Sequence, residues 1–183
     1  LIAEAESAFN RGDYARAEQV FDQALRTDNT NTFVLSNLAA TQMEQGKDAE
    51  AEKNLRAALA SSPKDPFTLT MLGYLKFRQK QYDEALDYLG LAVLYDPKNA
   101  RIQNYLGVTL SQKGMRGPAE TALRRAIQLQ PGFAEAHYNL ALVYALQDPP
   151  LRELARWHYQ KALDNGHPRS TQIEQLLDKA AGK

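Results

Sequence analysis

Apolar residues recur along the chain three or four positions apart, in short stretches separated by polar turns, which is the spacing of amphipathic helices. Leu69, Leu72, Tyr74 and Leu75 form one such stretch, and Ala85, Leu86, Leu89, Ala92 and Val93 form the next. Gln79-Lys80-Gln81-Tyr82 joins them, as Gln45-Gly46-Lys47-Asp48 does one copy earlier. The whole pattern repeats with a step of 34 residues. Ala17, Ala51, Ala85 and Ala119 share one column, and Ala24, Ala58, Ala92 and Ala126 another. A third column is uniformly small: Ala5, Ala39, Gly73, Gly107 and Ala141. Large apolar residues keep the same step, among them Leu38, Leu72, Leu106, Leu140 and Phe21, Leu55, Leu89, Leu123. Each copy therefore predicts two antiparallel helices of about three to four turns. The small columns let the helices cross closely. Pro63, Pro97 and Pro131 stop the second helix of their copies, because proline lacks the donor and restricts the residue before it. One pair cannot bury its own apolar face, so the pairs stack around a continuous core.

These columns resemble the tetratricopeptide repeat family. The copies that carry the resemblance best are Leu72-Gly73, Tyr82, Ala85, Ala92 and Pro97, then Leu106-Gly107, Ala119, Ala126 and Pro131. A fifth copy holds Tyr138-Asn139-Leu140-Ala141 with Tyr144, Ala155 and Ala162, after a two-residue insertion near Asp148-Pro149-Pro150. The resemblance implies an all-α fold, a right-handed superhelical solenoid of helix–turn–helix repeats. Five copies would span residues 1–169 (about 1–31, 32–65, 66–99, 100–133 and 134–169), and 170–183 would be a C-terminal capping helix and tail.

The departures carry their own expectations. Glu4 replaces a column leucine, and the first copy ends Asp28-Asn29-Thr30 without proline. That reads as a cut through an upstream array or as an end with a polar edge. The opening at Leu1, inside a helical pattern and without Met, reads as a cut or processed piece. Gln103 and His137 stand where other copies have leucine and should soften the packing. Pro149-Pro150 lie in the turn of the last pair, where a proline can occupy the first turn of a helix. Thr171 and Glu174 have capping-box spacing ahead of an apolar stripe, Ile173, Leu176 and Leu177. Ala180-Ala181-Gly182-Lys183 is expected to fray.

Composition narrows the function. The 183 residues hold 22 Lys+Arg against 22 Asp+Glu, without the basic excess of a nucleic-acid binder. No cysteine is present, which removes thiol catalysis, thiolate metal sites and disulfides. The longest apolar run, Leu89–Tyr95, is far too short to cross a bilayer. Phosphate-cradling glycine loops, nucleophile elbows and His-Glu-x-x-His pairs are all missing from the sequence. The three histidines, His137, His158 and His167, are not spaced as helix-face ligands. His137 reads as a core or groove residue, His158 as a helix-surface residue and His167 as a turn residue. Trp157 reads as packing against the C-terminal helix. Neither catalytic, cofactor nor metal-ligating residues are expected, and the reading points away from an enzyme.

The resemblance implies instead that the first helix of each pair lines a concave groove for a peptide. The positions that carry over are Phe67, Thr70, Tyr74, Phe77 and Arg78, then Arg101 and Asn104, and Tyr138 in the last copy. The family's carboxylate clamp needs Lys and Asn in one first helix and Lys and Arg two copies on. Phe33, Ser36, Ala40 and Thr70 stand at such places, so that clamp is absent. Charge is uneven: residues 1–65 carry seven Lys+Arg against eleven Asp+Glu, and residues 66–133 carry nine against five. The sequence thus predicts a non-catalytic scaffold or adaptor that binds a peptide or helix of a partner protein. The alternative is a self-assembling segment of a longer repeat scaffold. Nucleic acid and membrane insertion by this segment are not expected.

Overall fold

A computed structural model describes residues 1–178, and among them it contains eleven α-helices and no strand. The first six are α1 (Ile2–Asn10), α2 (Tyr14–Leu25), α3 (Thr32–Glu44), α4 (Asp48–Ser61), α5 (Pro66–Arg78) and α6 (Tyr82–Tyr95). The others are α7 (Ala100–Gln112), α8 (Arg116–Leu129), α9 (Ala134–Ala145), α10 (Arg152–Asp164) and α11 (Thr171–Asp178). The expected fraying of Ala180–Lys183 lies outside the described residues.

The helix ends follow from local chemistry. Asp13, Asn31, Asp65 and Asn99 each turn a side-chain oxygen onto a backbone N–H of the first turn, at 2.7–3.4 Å. Each such cap contributes about 1 kcal/mol. At the far end of α3 the Gly46 N–H bonds the Met43 carbonyl at 3.1 Å and the Lys47 N–H bonds the Gln42 carbonyl at 2.9 Å. That paired closure needs a left-handed residue, and Gly46 supplies it with φ +74°. The same closure one copy later passes through Lys80, at φ 60°.

Two compact units divide the chain, Leu1–Tyr95 and the part from Asp96 onward. In the first, α1–α2, α3–α4 and α5–α6 are hairpins, with α2 packed on α3, and α5 on both α3 and α4. Phe21, Leu38, Leu55, Leu72, Leu75 and Leu89 are fully buried there. In the second unit α7–α8 and α9–α10 are hairpins, α9 packs on α7 and α8, and α11 lies on α9 and α10. Its core gathers Leu123, Leu140, Tyr144 and Tyr159 with Ile173 and Leu177 of α11. Ala17, Ala51, Ala85, Ala119 and Ala155 have no exposed surface. At the small column a Cβ built on Gly107 would lie 2.6 Å from Leu123 Cγ and 3.2 Å from the Ala119 carbonyl oxygen. The paired helices approach that closely because no side chain separates them.

Pro149 and Pro150 lie in the turn of the last pair, just ahead of α10, which begins at Arg152 after an N-cap at Leu151. One local expectation is corrected. The Glu174 carboxylate does not close a capping box. It accepts from the Tyr159 hydroxyl at 2.9 Å and from Arg169 at 3.3 Å, so it ties α11 to α10.

Candidate functional site

In the first unit the outward stripe of α5 runs Phe67, Tyr74 and Arg78, with Met71 almost covered between them. The matching stripe of α3 is Phe33, Asn37, Ala40 and Glu44. Steps of four, three and four residues keep these side chains on one helix face. Phe33 and Phe67 are 47% and 40% exposed at equivalent positions in the first turns of α3 and α5. Tyr74 is half-buried and packs on the core formed by α3, α4 and α5. Arg78 sends Nη1 to the Met43 carbonyl at 2.7 Å and Nη2 to within 3.4 Å of Asp48. Part of its charge therefore joins α5 to the α3–α4 turn. Phe77 is half-buried and its ring is tilted 52° to that of Tyr82, with centroids 5.8 Å apart.

Thr70 does not reach this face. It is 3% exposed and its hydroxyl donates to the Pro66 carbonyl at 2.6 Å. One copy earlier the same column holds Ser36, fully buried and 2.7 Å from the Thr68 hydroxyl. One copy later it holds Asn104, 6% exposed, whose Oδ1 accepts from Asn139 at 2.9 Å. Ser36 and Asn104 occupy the side of a first helix that meets another first helix, α5 and α9 respectively, and Thr70 bonds back to its own helix. Thr70 and Asn104 are thus packing residues, and the column one position later is only partly open: Asn37, Tyr105 and Asn139 are half-buried and Met71 is buried. The run Ser, Thr, Asn was the available signal, because small polar residues suit a close helix contact and offer little to a ligand.

In the second unit Arg101 is exposed at the first turn of α7 and lines a cavity of about 420 Å³ with Glu135, Gln130, Asn165 and His167. Tyr138 is half-covered. Its hydroxyl is 3.0 Å from the Ser170 hydroxyl, and His167 stacks on its ring at 4.2 Å. The expected site residues therefore fall into one group on α5 and another on α7 and α9, each within its own unit.

Of the histidines, His158 departs from expectation. His137 is 3% exposed, in keeping with a core residue, and its Nδ1 lies 2.9 Å from Nδ1 of His158, so the His158 ring is half-buried and turned toward α9. Burial, the neighbouring His137 and Arg124 hold the His158 imidazole down to about 4. Burial and the Glu120 carboxylate push the Tyr144 phenol up to about 12. Trp157 does not pack against the C-terminal helix. It is 53% exposed, with Lys161 over its ring at 5.7 Å and the His158 ring 4.6 Å away. Tyr159, two residues on, makes the contact with α11. No group of three or more candidate metal ligands exists among the described residues. No helix among them is long and apolar enough to cross a membrane.

Comparison with known proteins places this geometry. The tetratricopeptide repeat model matches residues 8–72 and 49–107. No curated protein matches the sequence significantly. Among solved structures, MamA is 24% identical, with a TM-score of 0.71 over 88% of this chain and 93% of that one. YrrB, described as a TPR protein with an unusual peptide-binding site, is 24% identical, with a TM-score of 0.70 over 97% and 90%. The pilF protein of Pseudomonas aeruginosa is 21% identical, with a TM-score of 0.85 over 96% and 78%. These likenesses establish an all-helical repeat solenoid.

Proposed function

Since this chain belongs to the tetratricopeptide repeat family, we propose that it is a non-catalytic scaffold that holds a peptide or helix of a partner protein on the outward stripes of its first helices. The observation that carries the reading is the pair Phe33 and Phe67. Two phenylalanines, 34 residues apart, stay 47% and 40% exposed while the columns around them are buried. Neither is needed to fill the core, and aromatic side chains are frequent hot spots because they bury much area at small entropic cost. Tyr74 and Arg78 extend the same face in the first unit, and Arg101 with Tyr138 provides the corresponding group in the second. Tetratricopeptide proteins are generally scaffolds, in keeping with a site of aromatic and hydrogen-bonding side chains.

Panning a random-peptide display library on the purified chain tests this. Selected peptides should lose affinity by roughly 2 kcal/mol or more in Phe33→Ser with Phe67→Ser, read by fluorescence polarisation on a variant that melts like the parent. Parental affinity in that variant moves the site away from α3 and α5.

A second reading, self-association, rests on the division of charge. Residues 1–95 hold ten Lys+Arg against fourteen Asp+Glu, and residues 96–183 hold twelve against eight. Copies of such a chain can attract one another through regions of opposite sign.

A further inference from the structure

Inside the α9–α10 hairpin the two imidazoles of His137 and His158 meet nitrogen to nitrogen. Their Nδ1 atoms are 2.9 Å apart, and His137 Nε2 lies 3.0 Å from the Pro131 carbonyl oxygen. A carbonyl oxygen only accepts, so the hydrogen of neutral His137 sits on Nε2 and its Nδ1 is a bare lone pair. The donor between the rings is then Nδ1–H of His158. Both tautomers are assigned by the network, and the gap holds one hydrogen. A proton added to His137 Nδ1 would set two N–H groups head to head at 2.9 Å. A proton added to His158 Nε2 leaves the contact in place but charges a ring enclosed by Tyr144 and Trp157, at 5.6 and 4.6 Å.

We propose that the His137–His158 contact is an acid-sensitive latch: it holds α10 on α9 while both rings are neutral, and mild acid releases this hairpin before the rest of the chain opens. Burial is the largest force against a charge on His158, and charged groups of α8 and α10 act beside it. From α8, Arg124 opposes a positive His158 and Glu120 favours it. Glu120 is already engaged, by Arg124 at 3.3 Å and by the Tyr144 hydroxyl of α9 at 2.9 Å. On α10 itself, Lys161 adds a further positive charge over the Trp157 ring. Burial adds to the opposition, so the folded His158 takes up a proton only near 4, against 6.5 in the unfolded chain. Between those values the unfolded chain binds more protons, and stability falls as pH falls. Carboxylates that lose stabilising partners on protonation act lower, below about 4.5, which leaves the interval from 6.5 to 5 to His158.

Melting from pH 7.5 to 5.0 tests the latch on the whole chain. The parent should lose at least about 5 °C, a shift within reach of one displaced titration in a chain of this length. His158→Asn should lose most of that dependence, and His167→Asn, which alters the remaining histidine, should keep it. Hydrogen exchange, corrected for intrinsic rate, should rise in α9 and α10 at pH 5.0 before it rises in α3–α6. An unchanged pH dependence in His158→Asn, or a uniform rise in exchange, overturns the proposal. Should that variant fail to fold, the unaltered protein decides. Trp157 is its single tryptophan and touches His158, so release or protonation changes its emission, and constant emission from pH 7.5 to 4.5 also overturns the latch.

Discussion

At the level of single residues, space at the small column is the strictest demand. Leu123 is fully buried and its branching carbon, not a free end, faces Gly107 at 2.6 Å from a built Cβ. Gly107→Val therefore overpacks the α7–α8 crossing and should cost about 1–3 kcal/mol. The helix-propensity gain over glycine offsets only a few tenths of that. A lower urea midpoint with an unchanged slope is the expected record, and an unchanged midpoint would mean that the two helices can part freely. The sequence displayed this column plainly, because a period imposes the same size limit in every copy. It displayed facing less well. One residue along a helix turns the side chain by roughly 100°, so a transfer of positions that put Phe67 and Tyr74 on the outward stripe also took in Thr70 and Asn104, which are buried.

At the scale of elements, α4 and α5 are joined by a buried ion pair. Lys76 Nζ lies 3.0 Å from Glu52, 3.4 Å from the Gln79 side-chain oxygen and 3.2 Å from that of Gln81, with its side chain 6% exposed. Glu52→Gln leaves an ammonium inside with Glu84 at 3.6 Å as its nearest carboxylate. Breaking a buried pair from one side costs 3–5 kcal/mol at full burial, and with those neighbours remaining about 2 kcal/mol is expected. Lys76→Met removes the buried charge itself, and Glu52 keeps Arg56 at 2.6 Å, so it should cost less than about 1 kcal/mol. Chemical denaturation of the two variants gives the order, and equal losses would count against the pair. The Arg56 hydrogen bond first, and Lys76 second, hold the Glu52 carboxyl below its usual value. Its contribution is present above about 4.5 and disappears as pH falls further, a loss Glu52→Gln should not show. Helices and turns were legible in the sequence because their causes lie within a few residues. The Lys76–Glu52 pair, the meeting of His137 with His158 and the Tyr159–Glu174 bond were not, since each joins residues on different helices and no period announces them.

For the whole molecule, net charge near zero conceals a fourteen-to-ten acidic part and a twelve-to-eight basic part. If copies associate through them, mass measured by light scattering should rise with concentration at low ionic strength. It should return to one chain above roughly 0.3 M salt, where screening is short-ranged. A constant mass in both conditions leaves the scaffold reading alone. Glycine meets two unlike demands in this chain. At Gly12, Gly46 and Gly114 a built Cβ meets nothing within 4 Å, and Lys80 already fills the equivalent corner. There the toll on a new side chain is backbone strain alone, about 1–2 kcal/mol, whereas at Gly73 and Gly107 it is collision with a packed leucine. The corners thus have room for a side chain that can reach solvent at the cost of a strained φ, and the crossings have room for none larger than alanine without displacing the helix beside them.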